Sequence, residues 1–573
     1  MTCPRVQGIE SARALSNRVT GHRLRRLKTK DVGDPVNKID PKWCALLAFA
    51  LSLVLSGHAS AEQTRPGATV TSSGTPLVHL DLTGGLRLRG QWIDGGSLLT
   101  SGSSFAPSGL PASLRAVSAD KSGAGTDRLG VGDLRLRLQP VVHVGSRASI
   151  HGQVDVAGTM VMGSDRNQEG LLDDLTSFGG NGPVRQALAM RRLWARVDMF
   201  GVFNLEMGRM GDHFGLGMLR NDGRDEFADF QSEVDRIAVS AEMMGFRGMV
   251  ARDSMASLPV GAPLIAADSV ELGLQDATDV LRWVFQVHGG QLEPTADGLG
   301  WGLAFIHQSQ ELGLAGEHSP AAGTALGPDC LQRESDGCVA LVPRDAALMW
   351  SQAHLRYLRT TAHGRFHAEV EVAALYGTVA NSDILTATDT AKTLISGGIA
   401  SRLAFQRPTS RWSLDAGFAS GEAEGGFGVF DQDNFKQLDL ADQPHRSLLT
   451  GFRFHRGFLV DGLLFREIIG AVANTWYVRP AYRQRVLDVG VQGRLDLELG
   501  VLGAVAASRE ATPGRARVLG VEPELRVDLN FNQTQRARMH VSYLIPGAAL
   551  AAGAGAATPE SAWRASMQWM IRF

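Results

Sequence analysis

Residues 563–573 constrain the fold more than any other segment. Trp563, Ala565, Met567, Trp569, Ile571 and Phe573 fall on one face of an extended strand, and Arg564, Ser566, Gln568, Met570 and Arg572 on the other, because strand side chains alternate. One wall is apolar with aromatic ends. The other is mostly polar. Such a strand suits a transmembrane barrel, with lipid outside and water or polar filling inside. It also suits the edge of a soluble sandwich, so this segment alone leaves both open.

The same period of two recurs along the chain. Leu80, Leu82, Leu86 and Leu88 alternate with Asp81, Thr83, Arg87 and Arg89. Leu134, Leu136 and Leu138 alternate with Asp133, Arg135, Arg137 and Gln139, and Phe366, Ala368, Val370 and Val372 with Arg365, His367, Glu369 and Glu371. Alternation does not by itself separate a membrane barrel from a sandwich. Targeting and length do.

Lys42 precedes an apolar run, Ala45–Leu55, and Ala59-Ser60-Ala61 follows as a small-x-small exit. These are the parts of a secretory signal peptide, and the run is shorter than the roughly 20 residues of a spanning helix. The expected division is a leader over 1–61 with cleavage after Ala61, a short periplasmic leader over 62–77, and a barrel over 78–573. Residues 1–40 are basic and lack an apolar core. A start codon assigned too early is the preferred account; a long n-region is the alternative, and a mitochondrial presequence fits the exit motif less well. The mature segment is long for one soluble domain and ordinary for a large barrel. A net charge of −2 gives no nucleic-acid footprint. Cys330 and Cys338 are close in sequence in an exported chain and read as a local disulfide.

Counting connections back from Phe573, with short periplasmic turns and long external loops, gives an all-β, antiparallel transmembrane barrel of about 18 strands (16 to 20). They are expected near 78–92, 131–144, 148–160, 188–199, 202–209, 234–242, 246–252, 279–288, 299–307, 347–358, 365–376, 397–405, 411–420, 474–483, 486–500, 515–530, 534–545 and 563–573. Segment 421–473 reads as one large external loop, with His445–His455 as a possible further strand. The two cysteines fall in the long external loop 308–346.

Several of these residues carry a resemblance. A closing strand with Trp569, Ile571 and a final Phe573 resembles the signal by which bacterial outer-membrane proteins engage the barrel-assembly machinery. The hairpin Arg192–Asp198 and Gly201–Met210 resembles a porin-like hairpin ending in a Gly-Arg step. With His213–Leu219, Asn221-Asp222-Gly223 and Val234-Asp235-Arg236, it looks like an outer-membrane family of myxobacteria and related deltaproteobacteria. Ala419–Glu422 and Tyr543–Gly547 resemble, more weakly, late segments of alginate-export-type barrels. Those barrels carry a dense cationic lumen, whereas acidic residues alternate with the arginines here, so an alginate-like substrate does not carry over. The resemblance covers parts of 190–240 and 410–573. It implies an integral protein of a Gram-negative outer membrane, with lipid, the assembly machinery and small solutes as partners.

A barrel of this size encloses a channel, and its inward residues set selectivity. The pore-lining candidates are Arg87, Arg89, Arg135, Arg137, Arg192, Arg196, Asp198, Glu206, Arg282, Arg356, Arg365, Glu369, Glu371 and Arg402. The loop after the fifth strand, with Asp212, His213, Asn221, Asp222 and Asp225, is the candidate constriction. It lacks the spacing of a calcium loop, and no metal or cofactor is expected. Neither a Gly-x-Ser-x-Gly elbow nor a His-Glu-x-x-His helix is present. The expectation is a porin-like channel for small hydrophilic solutes, anionic ones included, and not an enzyme. A closed structural or adhesive barrel that binds a partner through its loops is the alternative, and a barrel-rim hydrolase a minor one.

Overall fold

In the computed structural model, the described residues are 78–95, 128–161, 188–225, 227–255, 280–291, 295–314, 331–332, 338–339, 341–379, 392–421, 448–488, 493–551 and 553–573. The leader over 1–61 and the segment 62–77 lie outside them, as does Cys330. Cys338 belongs to a two-residue ladder in which it faces Gln332.

Eighteen antiparallel strands close into one barrel. They are β1 (Val78–Asp94), β2 (Arg128–Val144), β3 (Ala148–Val161), β4 (Leu188–Met199), β5 (Phe203–Gly211), β6 (Glu233–Met243), β7 (Phe246–Met255), β8 (Val280–Gly290) and β9 (Gly298–Leu314). They continue as β10 (Leu341–Thr361), β11 (Gly364–Val379), β12 (Lys392–Gln406), β13 (Ser410–Ala419), β14 (Thr475–Asp488), β15 (Arg494–Ala506), β16 (Val518–Asn530), β17 (Gln535–Pro546) and β18 (Ala562–Arg572). Each strand pairs with its sequence neighbours, and β18 closes on β1 with Trp569 opposite Leu88. Phe573 extends this seam: its amide donates to the Gly84 carbonyl and its carbonyl accepts from the Gly84 amide. Its ring covers the bare backbone of Gly84, where a Cβ would lie 2.6 Å from the ring edge.

The outward faces are apolar. Trp476 is 54% exposed and Met567 56%, and Trp92, Trp283, Trp412, Tyr376, Leu403 and Val501 also point out. The alternate positions, among them Arg87, Asp133, Asp253, Glu371, Glu522 and Arg564, are buried inside. A soluble sandwich would reverse this. An apolar belt around a closed, polar-faced sheet is the solution that leaves no backbone group unpaired in hydrocarbon. Among the described residues no helix is long and apolar enough to cross a membrane. The chain crosses with strands.

One end of the barrel has tight connections. Met244 (φ 54°) and Gly245 (φ 78°) form a two-residue turn between β6 and β7, the left-handed pair that matches strand twist. Long segments leave the other end, and the two best described of them turn back inward.

One expectation needs correction. The turn placed before residue 486 is absent. Strand β14 runs on to Asp488, with a register shift between Arg485 and Leu487 that leaves both Val486 and Leu487 exposed. That bulge breaks the alternation used to place the turn. Segment 421–473, expected as one large external loop, folds inward where it is described: residues 450–474 pack inside the barrel against β12–β17. The only further strand described there is Leu448–Leu449, two residues long and parallel to β12.

Candidate functional site

The barrel interior holds two infolded segments, 212–232 between β5 and β6 and 450–474 between β13 and β14. Each is fixed to the wall by a buried glutamate. Glu371 of β11 is fully buried and accepts a hydrogen bond from the Met218 amide at 3.1 Å. The backbone turns toward it through Gly215 and Gly217, both left-handed. A Cβ on Gly215 would lie 2.9 Å from the Glu371 carboxylate, so glycine is what permits the close approach. Glu522 of β16 does the same for the second segment, accepting from the amides of Gly462 at 3.1 Å and Leu464 at 2.8 Å.

Segment 212–232 is also held by charge. Asp212 takes both Arg220, within the segment, and Arg236 of β6 at 2.9 Å, while Arg236 forks onto Asp253 of β7 at 2.6 and 2.7 Å. Burial alone would raise the Asp212 pKa; Arg220 and Arg236 outweigh it and hold the group far below the carboxylate range. At the tip, Asp229 meets Arg87 of β1 at 2.8 Å and Arg89 at 2.7 Å, and Arg135 of β2 donates to the Ala228 carbonyl at 2.9 Å. The ring of Phe227 lies under the Arg538 guanidinium of β17, 4.2 Å from its centroid. The segment therefore spans the interior from β5–β6 to β1, β2 and β17.

Segment 450–474 is apolar. Phe452, Phe454, Leu463, Leu464, Phe465, Ile468 and Ile469 are buried with Tyr477 of β14, Leu502 of β15, Leu519 of β16 and Leu544 of β17. Among the described residues this cluster is the largest apolar core, and it sits inside the barrel. A wide turn over Leu464–Ile468 is closed by Asp461, which accepts from the Phe465 amide at 2.6 Å. The two segments interlock: the His455 amide donates to the Met218 carbonyl at 2.7 Å, Arg466 reaches Asp229 at 2.7 Å, and Arg456 stacks 4.2 Å over Phe230.

The fourteen residues named in sequence as pore-lining fall into separate groups. Arg87 and Arg89 share Asp133 and Asp229 beneath the loop tip. Arg137 forks onto Asp155 at 2.6 and 2.8 Å. Arg192 donates to the Asp222 carbonyl. Arg282 donates to Gln308 at 2.7 Å and stacks 4.3 Å over Trp350. Glu369 joins His354 at 2.8 Å and His367 at 3.3 Å, and Arg402 joins Asp415 at 2.8 Å. Arg196 and Glu206 lie 4.0 Å apart near the β4–β5 turn, where Asp198 accepts from the Gly201 amide. Arg356 and Arg365 hold carbonyls of the β8–β9 connection, at Gln291 and Thr295. Of the loop residues, His213 Nδ1 lies 3.1 Å from Asp222, whose pKa falls to about 2 as contacts from His213 and Arg224 outweigh burial. Asn221 and Asp225 close local turns, accepting from the amides of Gly223 and Phe227.

The sequence reading missed the densest charge. Arg411, Arg479, Arg483, Arg485, Arg494, Arg526, Arg536 and Arg538 face inward on β13–β17 with Asp415, Asp496, Glu498, Glu522, Glu524 and Asp528. Asp528 alone meets Arg483 at 2.8 Å, Arg536 at 3.2 Å and Arg538 at 2.7 Å. The alternation of Arg479 and Arg483 was readable within the expected strand 474–483 and was passed over; the misplaced turn hid only Arg485.

No family model matches the chain, and no curated protein matches it. Solved structures do share its outline. OccK9 (OpdG) of Pseudomonas aeruginosa aligns with a TM-score of 0.45 at 10% identity, over 86% of this chain and 98% of that one. OccK11 (OpdR) of the same organism gives 0.43 at 9%, over 86% and 96%. A BenF-like porin of Pseudomonas fluorescens Pf-5 gives 0.42 at 8%, over 86% and 99%.

Proposed function

We propose that the protein is a porin-like channel of a Gram-negative outer membrane, passing small hydrophilic solutes with a preference for anions. The observation that carries this is the inward face of β13–β17, where arginines outnumber carboxylates inside a closed barrel of 18 strands. Barrels of about 16–18 strands leave an aqueous lumen, and a cationic lining lowers the barrier for anions. The two infolded segments narrow that lumen, and in this reading they choose among solutes.

The same reading includes export by the leader over 1–61, insertion by the barrel-assembly machinery and a Cys330–Cys338 staple in an external loop. The likeness of residues 190–240 to myxobacterial outer-membrane barrels fits the same compartment. One observation favours the closed-barrel alternative: the apolar packing of segment 450–474 fills the interior beside β12–β17. Liposome swelling separates the two. The channel reading expects faster swelling in small anionic solutes than in cationic ones of equal size. A folded protein that gives no swelling in any solute leaves the closed barrel.

A further inference from the structure

We propose that the barrel holds a binding site for a multiply charged oxyanion, a phosphate or small polycarboxylate group, at the mouth where β12–β15 turn. A cavity of about 110 Å³ opens there. Among its lining residues are Arg407, Arg411, Arg483, Arg485, Arg494 and a single carboxylate, Asp496. The volume matches the liquid share of about four waters, enough for such an anion.

The charges are not balanced within the wall. Asp496 is shared by Arg494 at 2.6 Å, Arg483 at 3.0 Å and Arg485 at 3.8 Å. Asp488 takes a further contact from Arg485 at 2.8 Å, and Asp528 one from Arg483. Among the described residues no carboxylate lies within ion-pair distance of Arg407 or Arg411, and the buried Arg485 Nε has no hydrogen-bond partner. The strand register makes this worse: Arg411 of β13 sits directly opposite Arg483 of β14, and like charges facing across a ladder are destabilising. The arrangement persists because the connection fixes it. The Arg407 amide donates to the Ser410 carbonyl and the Arg485 amide to the Thr409 carbonyl, both at 2.7 Å. An anion between these guanidinium groups would relieve the repulsion, and their planar forks suit bidentate oxyanions.

Trp412 and Tyr482, next in sequence to Arg411 and Arg483, stack on the outer face with ring centroids 4.4 Å apart. Strand alternation therefore puts Arg411 and Arg483 on the inner face, away from lipid, and the proposed occupant is a soluble anion. Adjoining the lumen, the site deepens the channel reading by giving the solute its charge class, yet its test needs no conduction.

The test is calorimetric titration of inorganic phosphate into the folded full chain in a non-ionic detergent, with acetate as the singly charged control. The inference expects saturable phosphate binding at least tenfold tighter than acetate. It expects at least a tenfold loss in Arg407→Gln/Arg411→Gln, a variant that breaks no ion pair and is checked for folding by its unboiled electrophoretic mobility. Arg411→Lys, which keeps the charge and loses the fork, should recover only part of the affinity. Absence of saturable phosphate binding in the folded wild type, or equal binding in the double variant, overturns the inference. A protein that binds phosphate and passes no solute keeps the site and removes the channel.

Discussion

Arg466 donates to Asp229 at 2.7 Å across 237 residues of sequence, joining the two infolded segments inside the barrel. Asp229 also takes Arg87 and Arg89 of β1, so one carboxylate ties both segments to the wall. Any solute crossing this barrel passes an arrangement that this junction fixes.

Removing that carboxylate should be costly. Asp229→Asn leaves three arginines short of a counter-charge, a loss of about 3 kcal/mol. Burial alone would raise the Asp229 pKa, but Arg89, Arg87 and Arg466 outweigh it and hold the group well below the carboxylate range. A depressed folded pKa stabilises above the unfolded value of about 4, and the gain is lost as pH falls from there. Denaturant unfolding of wild type and Asp229→Asn should therefore differ at pH 7 and converge progressively below pH 4. Equal stability at pH 7 contradicts the assignment.

Glu371 is expected to hold segment 212–232 rather than the barrel. Glu371→Ala strands the Met218 amide, worth about 1–3 kcal/mol, while Glu371→Gln keeps an acceptor oxygen and should do less harm. Limited proteolysis should cut within 212–232 faster in the alanine variant. The difference in mobility between boiled and unboiled protein, which reports the closed barrel, should stay unchanged.

Asp461 predicts the opposite pH response. Burial pushes its pKa up to about 7, with Glu524 adding repulsion. A raised folded pKa gives stability that is complete below the unfolded value of about 4 and is lost as pH rises through about 7. Hydrogen-exchange protection of residues 450–474 should be higher at pH 4 than at pH 8. In Asp461→Asn that difference should shrink. Equal protection of the wild-type segment at both pH values contradicts the prediction.

Gly217 (φ 80°) is required by the turn that presents Met218 to Glu371. A Cβ there would lie 2.7 Å from the Asn221 side-chain Nδ2, and the left-handed backbone alone costs roughly 1–2 kcal/mol. Gly217→Ala should lower the unfolding midpoint, whereas Gly145→Ala, whose Cβ meets nothing within 4 Å, should pay only for the backbone.

The barrel was legible because alternation is local. Trp563 to Phe573 shows its two faces without knowledge of any partner, and nearly every strand was found within a few residues of its place. Arg485 to Leu487 shows where that reasoning stops, since a bulge changes the facing of residues without changing their composition. The site was far less legible. That Asp229 meets Arg466, or Glu522 the Leu464 amide, depends on how long segments fold back, and no periodicity encodes that. Phe452, Phe454, Leu463, Leu464 and Phe465 did carry a usable signal. So apolar a run has no reason to stand in solvent as an external loop, and in a barrel the place left for it is inside.

The most direct measurement is the reversal potential of the refolded protein in a planar bilayer under a salt gradient. The account predicts discrete conductance steps and a potential of the sign given by anion preference, as the inward arginines of β13–β17 require. A folded barrel that passes no current, or one that prefers cations, contradicts it.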